Sequence, residues 1–500
     1  MSTFPATIPD LIEWRASRSP DRPWLSFEND SWTLADVLEE VDRIAVGLAE
    51  RGVKRGDRVA LLFGNRPETL FTWFATNRLG AAAVMLNTAY KSPELAGILR
   101  VTTPRVLVLG DEHRALAAAA VGDLHSSSPL LATPEALASA GRGAPRADVG
   151  PDDVAVLLAT SGTTGAPKAV AQTHRTYTLT AEAFPFWVGL GEEDRLLTSL
   201  PLFHVNAQAY STMGSLGAGA RLALLRRFSA STFWEDVRRT GATQFNAVGA
   251  MLHILLAGEP KPSDRDHAVR TVYAALALPE AQHRAFEERF GVSLMVGYGL
   301  SESTFGTVWP RGERPRYGSM GVLRQHPRLG DINRTRVVGD DGSDAPVGGV
   351  GELWLANPAI MRGYFESEAE TEAVLRGGWL RTGDLVTRDA DGFYTFVARK
   401  KEVLRRRGEN VAAAEIENVL CSHPAVLEAA AIGVPSALGE DEIVAYVAPR
   451  PGATIDVAAL RAFAVERLAD FKVPSEIHVR ASLPRTATER IAKHLLRNGS

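Results

Sequence analysis

One stretch constrains this chain more than any other. The apolar run Val154-Ala155-Val156-Leu157-Leu158-Ala159 leads directly into Thr160-Ser161-Gly162-Thr163-Thr164-Gly165-Ala166-Pro167-Lys168. A short, unbroken apolar run reads as a buried strand. The nine residues after it hold four hydroxyls, two glycines and one lysine. Glycines allow tight turns and close ligand approach. Backbone N–H groups and hydroxyl donors in such a loop make an anion-binding concavity, and Lys168 adds a mobile point charge suited to phosphate. A plain Ser/Thr/Gly turn is the alternative, but the density of donors directly after a strand favours phosphate. The string is not the nucleotide loop Gly-x-x-x-x-Gly-Lys-Ser/Thr, because its lysine lies three residues past the second glycine and no hydroxyl follows.

The surroundings predict an α/β fold. Leu34, Val37, Leu38, Val41, Ile44 and Leu48 recur at helical spacing, with Thr33 as N-cap and Asp36 as its capping-box partner. Val59–Phe63, Ala81–Leu86 and Val106–Leu109 read as strands, with a helix through Leu70–Phe74. Strands alternating with helices imply a mainly parallel sheet packed on both faces. Residues 110–150 read as an Ala-rich helix and a surface connection. Residues 311–397 shift to glycine, charge and short strands, a β-rich subdomain. After the charge run Arg399-Lys400-Lys401-Glu402 comes a compact segment whose core strands are Ala429–Val434 and Ile443–Val447. At 500 residues more than one core is expected, and the predicted boundary separates 1–397 from 398–500, with a hinge near Ala398–Lys401.

Composition narrows the class. A net charge of −4 gives no general drive towards nucleic acid or an anionic membrane. The single cysteine, Cys421, excludes an internal disulfide and a cysteine-built metal site, and reads as a packed or surface thiol. The opening residues lack the basic-then-apolar order of a signal peptide, and no apolar run is long enough to span a bilayer. A cytoplasmic enzyme is the expectation.

Three further constellations carry chemistry. Gly297-Tyr298-Gly299-Leu300-Ser301-Glu302-Ser303 follows the strand-like Ser293–Val296, at the kind of strand end where open α/β sheets bind ligands. Gly378-Trp379-Leu380-Arg381-Thr382-Gly383-Asp384 places an acid in a glycine turn, a group able to accept from a ribose diol. Ala398–Val411 is a basic turn ending in Arg407-Gly408-Glu409-Asn410.

Together, in this order and spacing, these segments resemble the adenylate-forming superfamily of acyl- and aryl-CoA synthetases, peptide-synthetase adenylation domains and luciferases. The loop Ser161–Lys168 resembles Ser-Gly-Thr-Thr-Gly-x-Pro-Lys. Tyr298–Glu302 resembles Tyr-Gly-x-Thr-Glu, with Ser301 for threonine. Met361-Arg362-Gly363-Tyr364 and Glu415-Ile416-Glu417 also fit. Pro201-Leu202-Phe203-His204 and Phe471-Lys472-Val473-Pro474 look like crotonobetaine/carnitine- or fatty-acid-type CoA ligases, to which ATP-dependent diazotases are related.

The resemblance implies a large N-terminal domain of two α/β subdomains plus a β-rich subdomain, and a small mobile α+β C-terminal domain. It implies ATP and Mg²⁺. Catalytic roles fall on Thr160, Lys168, Ser301, Glu302 and Arg490, and nucleotide contacts on Ser161, Gly162, Thr163, Thr164, Gly165, Ala275, Tyr298, Gly299, Asp384 and Arg399. Tyr298 would stack on adenine, Ser301 meet the α-phosphate, Glu302 ligate Mg²⁺ and Asp384 hold the ribose. The acid pocket draws on His204, Gln208, Val248, Gly249, Gly297, Ser303 and Phe305, where His204 is either a gate or a structural histidine. Relatives are often homodimers.

Three positions depart from the family. Arg490 stands where its motif Pro-Arg-Thr-x-x-Gly-Lys-Ile has lysine, with Lys493 nearby as a substitute. Arg407 replaces the first of two glycines beside the pantetheine channel, and Ala274-Ala275-Leu276-Ala277 replaces Gly-Gly-Ala-Pro. Two of these fall on the acceptor half of the reaction, which puts CoA in question there. The leading expectation is an acid–CoA ligase. The alternatives are an adenylate, of an acid or of nitrite, attacked directly by an amine, and a non-catalytic nucleotide-binding protein.

Overall fold

The computed structural model describes residues 4–124, 128–138, 143–160, 167–275, 278–400, 403–406, 409–435, 441–485 and 491–497. Contacts divide the chain into two compact units, Met1–Arg334 with Leu355–Leu380, and Thr335–Trp354 with Arg381–Ser500.

The first unit carries two α/β sheets. One has seven strands in the order Gly363–Tyr364, Lys168–Thr173, Val154–Thr160, Ala82–Met85, Arg58–Leu62, Val106–Leu109 and Leu130–Ala132. The five strands from Val154–Thr160 outward to Leu130–Ala132 are parallel, as the strand–helix alternation predicts. The other has nine strands, with Ser293–Leu300, Thr271–Ala275, Gln244–Val248, Arg195–Thr198, Arg221–Leu224 and Pro23–Phe27 parallel in that order and antiparallel strands at both edges.

The local rules behind these elements are visible in the helix Leu34–Glu50. Thr33 accepts from the Asp36 N–H while the Asp36 carboxylate accepts from the Thr33 N–H, a full capping box. Leu34, Val37, Val41, Ile44 and Leu48 of this helix are buried. The central strands Ala82–Met85, Arg58–Leu62 and Val106–Leu109 are buried and apolar on both faces, as expected of a covered parallel sheet.

Arg334–Val338, Val350–Ala356, Trp379–Arg388 and Tyr394–Arg399, most of whose residues fall in the second unit, are neighbours in one sheet. Burial alternates strictly along Trp379–Leu385, the period of a half-buried strand. A hairpin, Val403–Arg406 with Glu409–Ala412, precedes the helix Ala413–Cys421. The predicted core strands are there as Val426–Pro435 and Asp441–Pro449, paired antiparallel, with Glu476–Val479 parallel on the far side. The segment is thus α+β. Burial pushes the Cys421 thiol up to about 12, so it is a packed thiol and not a nucleophile.

Candidate active site

In the first unit, the strands Val154–Thr160 and Lys168–Thr173 form an antiparallel hairpin with Thr160 opposite Lys168. Ser161, Gly162, Thr163, Thr164 and Gly165 lie outside the described residues, as do Arg407 and Arg490. Lys168 opens the returning strand, which aims its amine from a fixed base. Its Nζ is 2.8 Å from the Glu370 carboxylate and 5.0 Å from the centre of the Tyr364 ring. The lysine side chain is only 15 % exposed, so it is not a solvated surface charge.

Tyr364 connects this lysine to the second motif. Its hydroxyl donates to Glu302 Oε1 at 2.9 Å. Burial, and then the neighbouring Glu302 carboxylate, push the phenol's pKa well up, so it stays a protonated donor. Glu302 is further held by its backbone, whose carbonyl accepts from the Met361 N–H at 2.7 Å. Gln172, fully buried on the lysine's own strand, donates to the Ser301 carbonyl. Lys168, Ser301 and Glu302 are thus brought together.

The segment Gly297–Leu300, expected as a loop, is instead the end of the strand Ser293–Leu300. An antiparallel partner, Ser303–Val308, supplies the pairing that keeps it extended, with Ser301 and Glu302 at the turn. Val248, Ala275 and Gly297 stand in one row across three parallel strands. This is the C-terminal edge of the sheet, where open α/β folds bind ligands. Tyr298 faces the opposite side from Gly297 and Gly299. Its ring lies beside Gly306, where a Cβ would come within 2.8 Å of it.

Other pocket candidates have structural partners. Gln208, in a π-helical stretch Asn206–Thr212, is fully buried, accepting from the Tyr177 hydroxyl and donating to the Leu202 carbonyl. Ser303 donates to the Phe305 carbonyl and accepts from Asn357. Phe305 packs edge-on to Trp187 in the core. Gly249 begins the helix Gly249–Ala257, just after Val248. His204 is half-buried, its ring 4.5 Å from that of Phe203.

The second unit holds Asp384 and Arg399, directly opposite each other on adjacent strands. The Asp384 carboxylate is fully buried and 2.8 Å from Arg399 Nε. The Thr-Gly-Asp segment, expected as a glycine turn, is instead part of the strand Trp379–Arg388, where pairing with Tyr394–Arg399 keeps it extended. Thr382 Oγ1 donates to the Leu353 carbonyl and accepts from the Asp384 N–H. Gly383 adopts φ +70°, a left-handed conformation that strains other residues, and donates its N–H to Glu352. Lys493 is ion-paired with Glu417 at 2.7 Å.

Among the described residues no three His, Cys, Asp or Glu side chains gather into a metal-holding group. A lone carboxylate with one oxygen on a tyrosine fits Mg²⁺ only where phosphate oxygens complete the shell. No helix among the described residues is long and apolar enough to cross a membrane.

Residues 12–365 match the AMP-binding enzyme family and residues 415–490 match the AMP-binding enzyme C-terminal domain. The chain belongs to the AMP-binding enzyme family and is an AMP-forming ligase of the acid–thiol type. It is 34% identical to a sulfoacetate–CoA ligase of Cupriavidus necator, over 98% of this chain and 97% of that protein. It is 31% identical to a crotonobetaine/carnitine–CoA ligase of Salmonella paratyphi C, over 93% of each. Among solved structures it is similar to an anthranilate CoA ligase in complex with anthranoyl-AMP, with TM-score 0.90, 26% identity and coverage of 99% of this chain and 98% of that one. It is also similar to the o-succinylbenzoate coenzyme A synthetase of Bacillus subtilis in complex with ATP and magnesium ion, with TM-score 0.86, 28% identity and coverage of 98% of each.

Proposed function

We propose that this enzyme activates a small carboxylic acid with ATP and transfers the acyl group to the thiol of CoA. The observation that carries this reading is the linked set Lys168, Tyr364, Glu302 and Glu370 in a chain that resembles CoA ligases over nearly its whole length. A carboxylate oxygen of the acid attacks the ATP α-phosphorus. The bond to pyrophosphate breaks, leaving an acid–AMP mixed anhydride. The thiol then attacks the carbonyl and expels AMP.

The protein's task is positioning and charge stabilisation. The loop Thr160–Gly165 and Lys168 take the outer phosphates, and Lys168 exchanges Glu370 for phosphate when ATP enters. Tyr298 stacks on adenine, Ser301 meets the α-phosphate, and Asp384 with Arg399 takes the ribose. Glu302 would hold Mg²⁺, which would supply neutralisation of the triphosphate charge. Tyr364 orients the Glu302 carboxylate. Arg490 supplies positive charge where the family has lysine, and Lys493 is committed to Glu417. An enzyme drawing on ATP and CoA works in the cytoplasm, and a homodimer is the expected assembly.

The test is a panel of acids, with nitrite plus an aryl amine as one member. Pyrophosphate and AMP release are followed with and without CoA. The expected result is acid-dependent ATP–pyrophosphate exchange and AMP release that needs CoA. AMP release driven equally by an amine without CoA would replace this reading with direct amine capture, which rests on the substitutions at Arg407 and Arg490.

A further inference from the structure

The ladder between the strand Ser293–Leu300 and its partner Ser303–Val308 slips partway along. Tyr298 faces Thr307 and Leu300 faces Ser303, so Gly299 alone stands opposite Thr304, Phe305 and Gly306. Extra residues in one strand interrupt the ladder, bend the strand and increase its twist, and such bulges re-aim the side chains beside them. Only the pair Leu300–Ser303 separates this bulge from the turn that carries Ser301 and Glu302.

Thr304, Phe305 and Thr307 are fully buried, so carbonyls released from the ladder need other donors. Arg324 supplies most of them. Its backbone N–H donates to the Gly306 carbonyl at 3.0 Å, its Nε to the Thr307 carbonyl at 3.0 Å and its Nη1 to the Thr304 carbonyl. Asn333 donates a second bond to Gly306, while Ser303 and Asn357 serve the Phe305 carbonyl. The guanidinium is itself anchored from behind. Nη1 donates to the Tyr210 hydroxyl at 2.6 Å, Nη2 donates to the Tyr273 hydroxyl, and the Tyr210 hydroxyl donates onward to the Thr304 carbonyl at 2.8 Å. A Cβ at Gly297 would lie 2.9 Å from Arg324 Nη2, and one at Gly299 would lie 3.4 Å from Nη1. The two glycines therefore form one wall of a box that holds the guanidinium against the bulge.

We propose that Arg324 is a positioning residue for the nucleotide turn: by serving three carbonyls of the bulge, it sets where Ser301 and Glu302 stand when ATP and Mg²⁺ bind. This rests on the ATP-activating reading above. Arg324 acts through the backbone and not by contact with substrate. The role needs a fork of donors. Lysine ends in one nitrogen and cannot hold the Thr304 and Thr307 carbonyls and both tyrosine hydroxyls together. A bulge that relaxes would displace Ser301 and Glu302 at once, and a displacement of about 1 Å costs on the order of a hundredfold in rate.

The test uses the full-length enzyme with Arg324→Lys and Tyr210→Phe. Tyr210→Phe removes the one oxygen that ties Arg324 to Thr304 and leaves the guanidinium in place. Folding of each variant is checked by its Tm. ATP binding is then titrated by calorimetry at rising Mg²⁺ without acid, and ATP–pyrophosphate exchange is followed with the acid panel above. In the wild type, Mg²⁺ should tighten ATP binding. In R324K the Mg²⁺ concentration that gives half of this effect should rise at least about fivefold and kcat should fall about a hundredfold, with KM for the acid within about threefold. Y210F should move the first two quantities in the same direction, with a loss of about tenfold in kcat. Folded variants with a lower Tm but unchanged Mg²⁺ dependence and kcat would show a structural role alone and overturn the inference. If R324K does not fold, Y210F decides. A wild type whose ATP affinity ignores Mg²⁺ also overturns it. Mg²⁺-sensitive binding without exchange on any acid overturns the ligase reading instead, and the calorimetric comparison still decides the role of Arg324.

Discussion

Tyr364 links two of the first unit's charged side chains, Glu302 and Lys168. It bonds Glu302 through its hydroxyl and lies under Lys168 with its ring, while Lys168 reaches across to Glu370. Opposite charges thus alternate along one short line, and a phosphate entering it meets a carboxylate already oriented for a cation. Removing only the phenol oxygen tests this. Tyr364→Phe should slow ATP–pyrophosphate exchange about tenfold, the size expected for a hydrogen bond to a charged group, and should raise the Mg²⁺ concentration needed for half-maximal rate. Glu302→Gln should cost about a hundredfold or more. Unchanged Mg²⁺ dependence in Y364F would leave the tyrosine as packing alone. The sequence showed Glu302 and Lys168 because their neighbours crowd into short strings. It offered no sign of Glu370 or Arg324. Each is one charged residue among many in its segment, and each acquires meaning only from groups distant along the chain.

The elements were legible wherever local rules decide them. The capping box at Thr33–Asp36 and the apolar period of the helix it opens were both readable because their partners lie within a few residues. The strand end Gly297–Leu300 was not, since two of its four residues are glycines, which favour turns. Only the partner strand Ser303–Val308 and the box behind the two glycines explain an extended glycine-rich segment. The helix His174–Val188 carries a further consequence. His174, its first residue, is fully buried and accepts the Ile8 N–H at Nδ1. Burial holds its pKa down to about 4, against the weaker opposing pull of Asp153 and Asp10. The folded state therefore binds the proton less readily than the unfolded chain. The stability this contributes is fully present above the unfolded value near 6.5 and is lost as pH falls from there towards 4, by roughly 3 kcal/mol at most. Urea midpoints measured across that window should fall less steeply for His174→Gln, which keeps an acceptor for Ile8 without a titrating ring. Parallel curves for the two proteins would show that another group sets the acid limb.

At the scale of the whole molecule, the reaction's two halves make different demands on one active centre. Adenylation needs the acid and the triphosphate held together with positive charge over the α-phosphate. Thioester formation needs that space opened to a thiol. Lys168, Ser301 and Glu302 lie in the first unit, Asp384 and Arg399 in the second. The segment after Arg399 is where the family's chain pivots, and Lys401 falls at that position in the sequence. A hinge of this kind works by changing φ and ψ at a few residues, and proline fixes φ near −65°. Lys401→Pro should therefore separate the half-reactions. ATP–pyrophosphate exchange should stay within about threefold of the wild type, while CoA-dependent AMP release falls by at least about a hundredfold, a loss of nearly 3 kcal/mol in transition-state stabilisation. Rapid-quench measurement of adenylate formation and of its consumption by CoA distinguishes the steps. Equal losses in both would mean that the substitution damages the centre itself. Full retention of both would mean that no rotation at Lys401 is needed, and that the acceptor reaches the adenylate in the same arrangement that formed it.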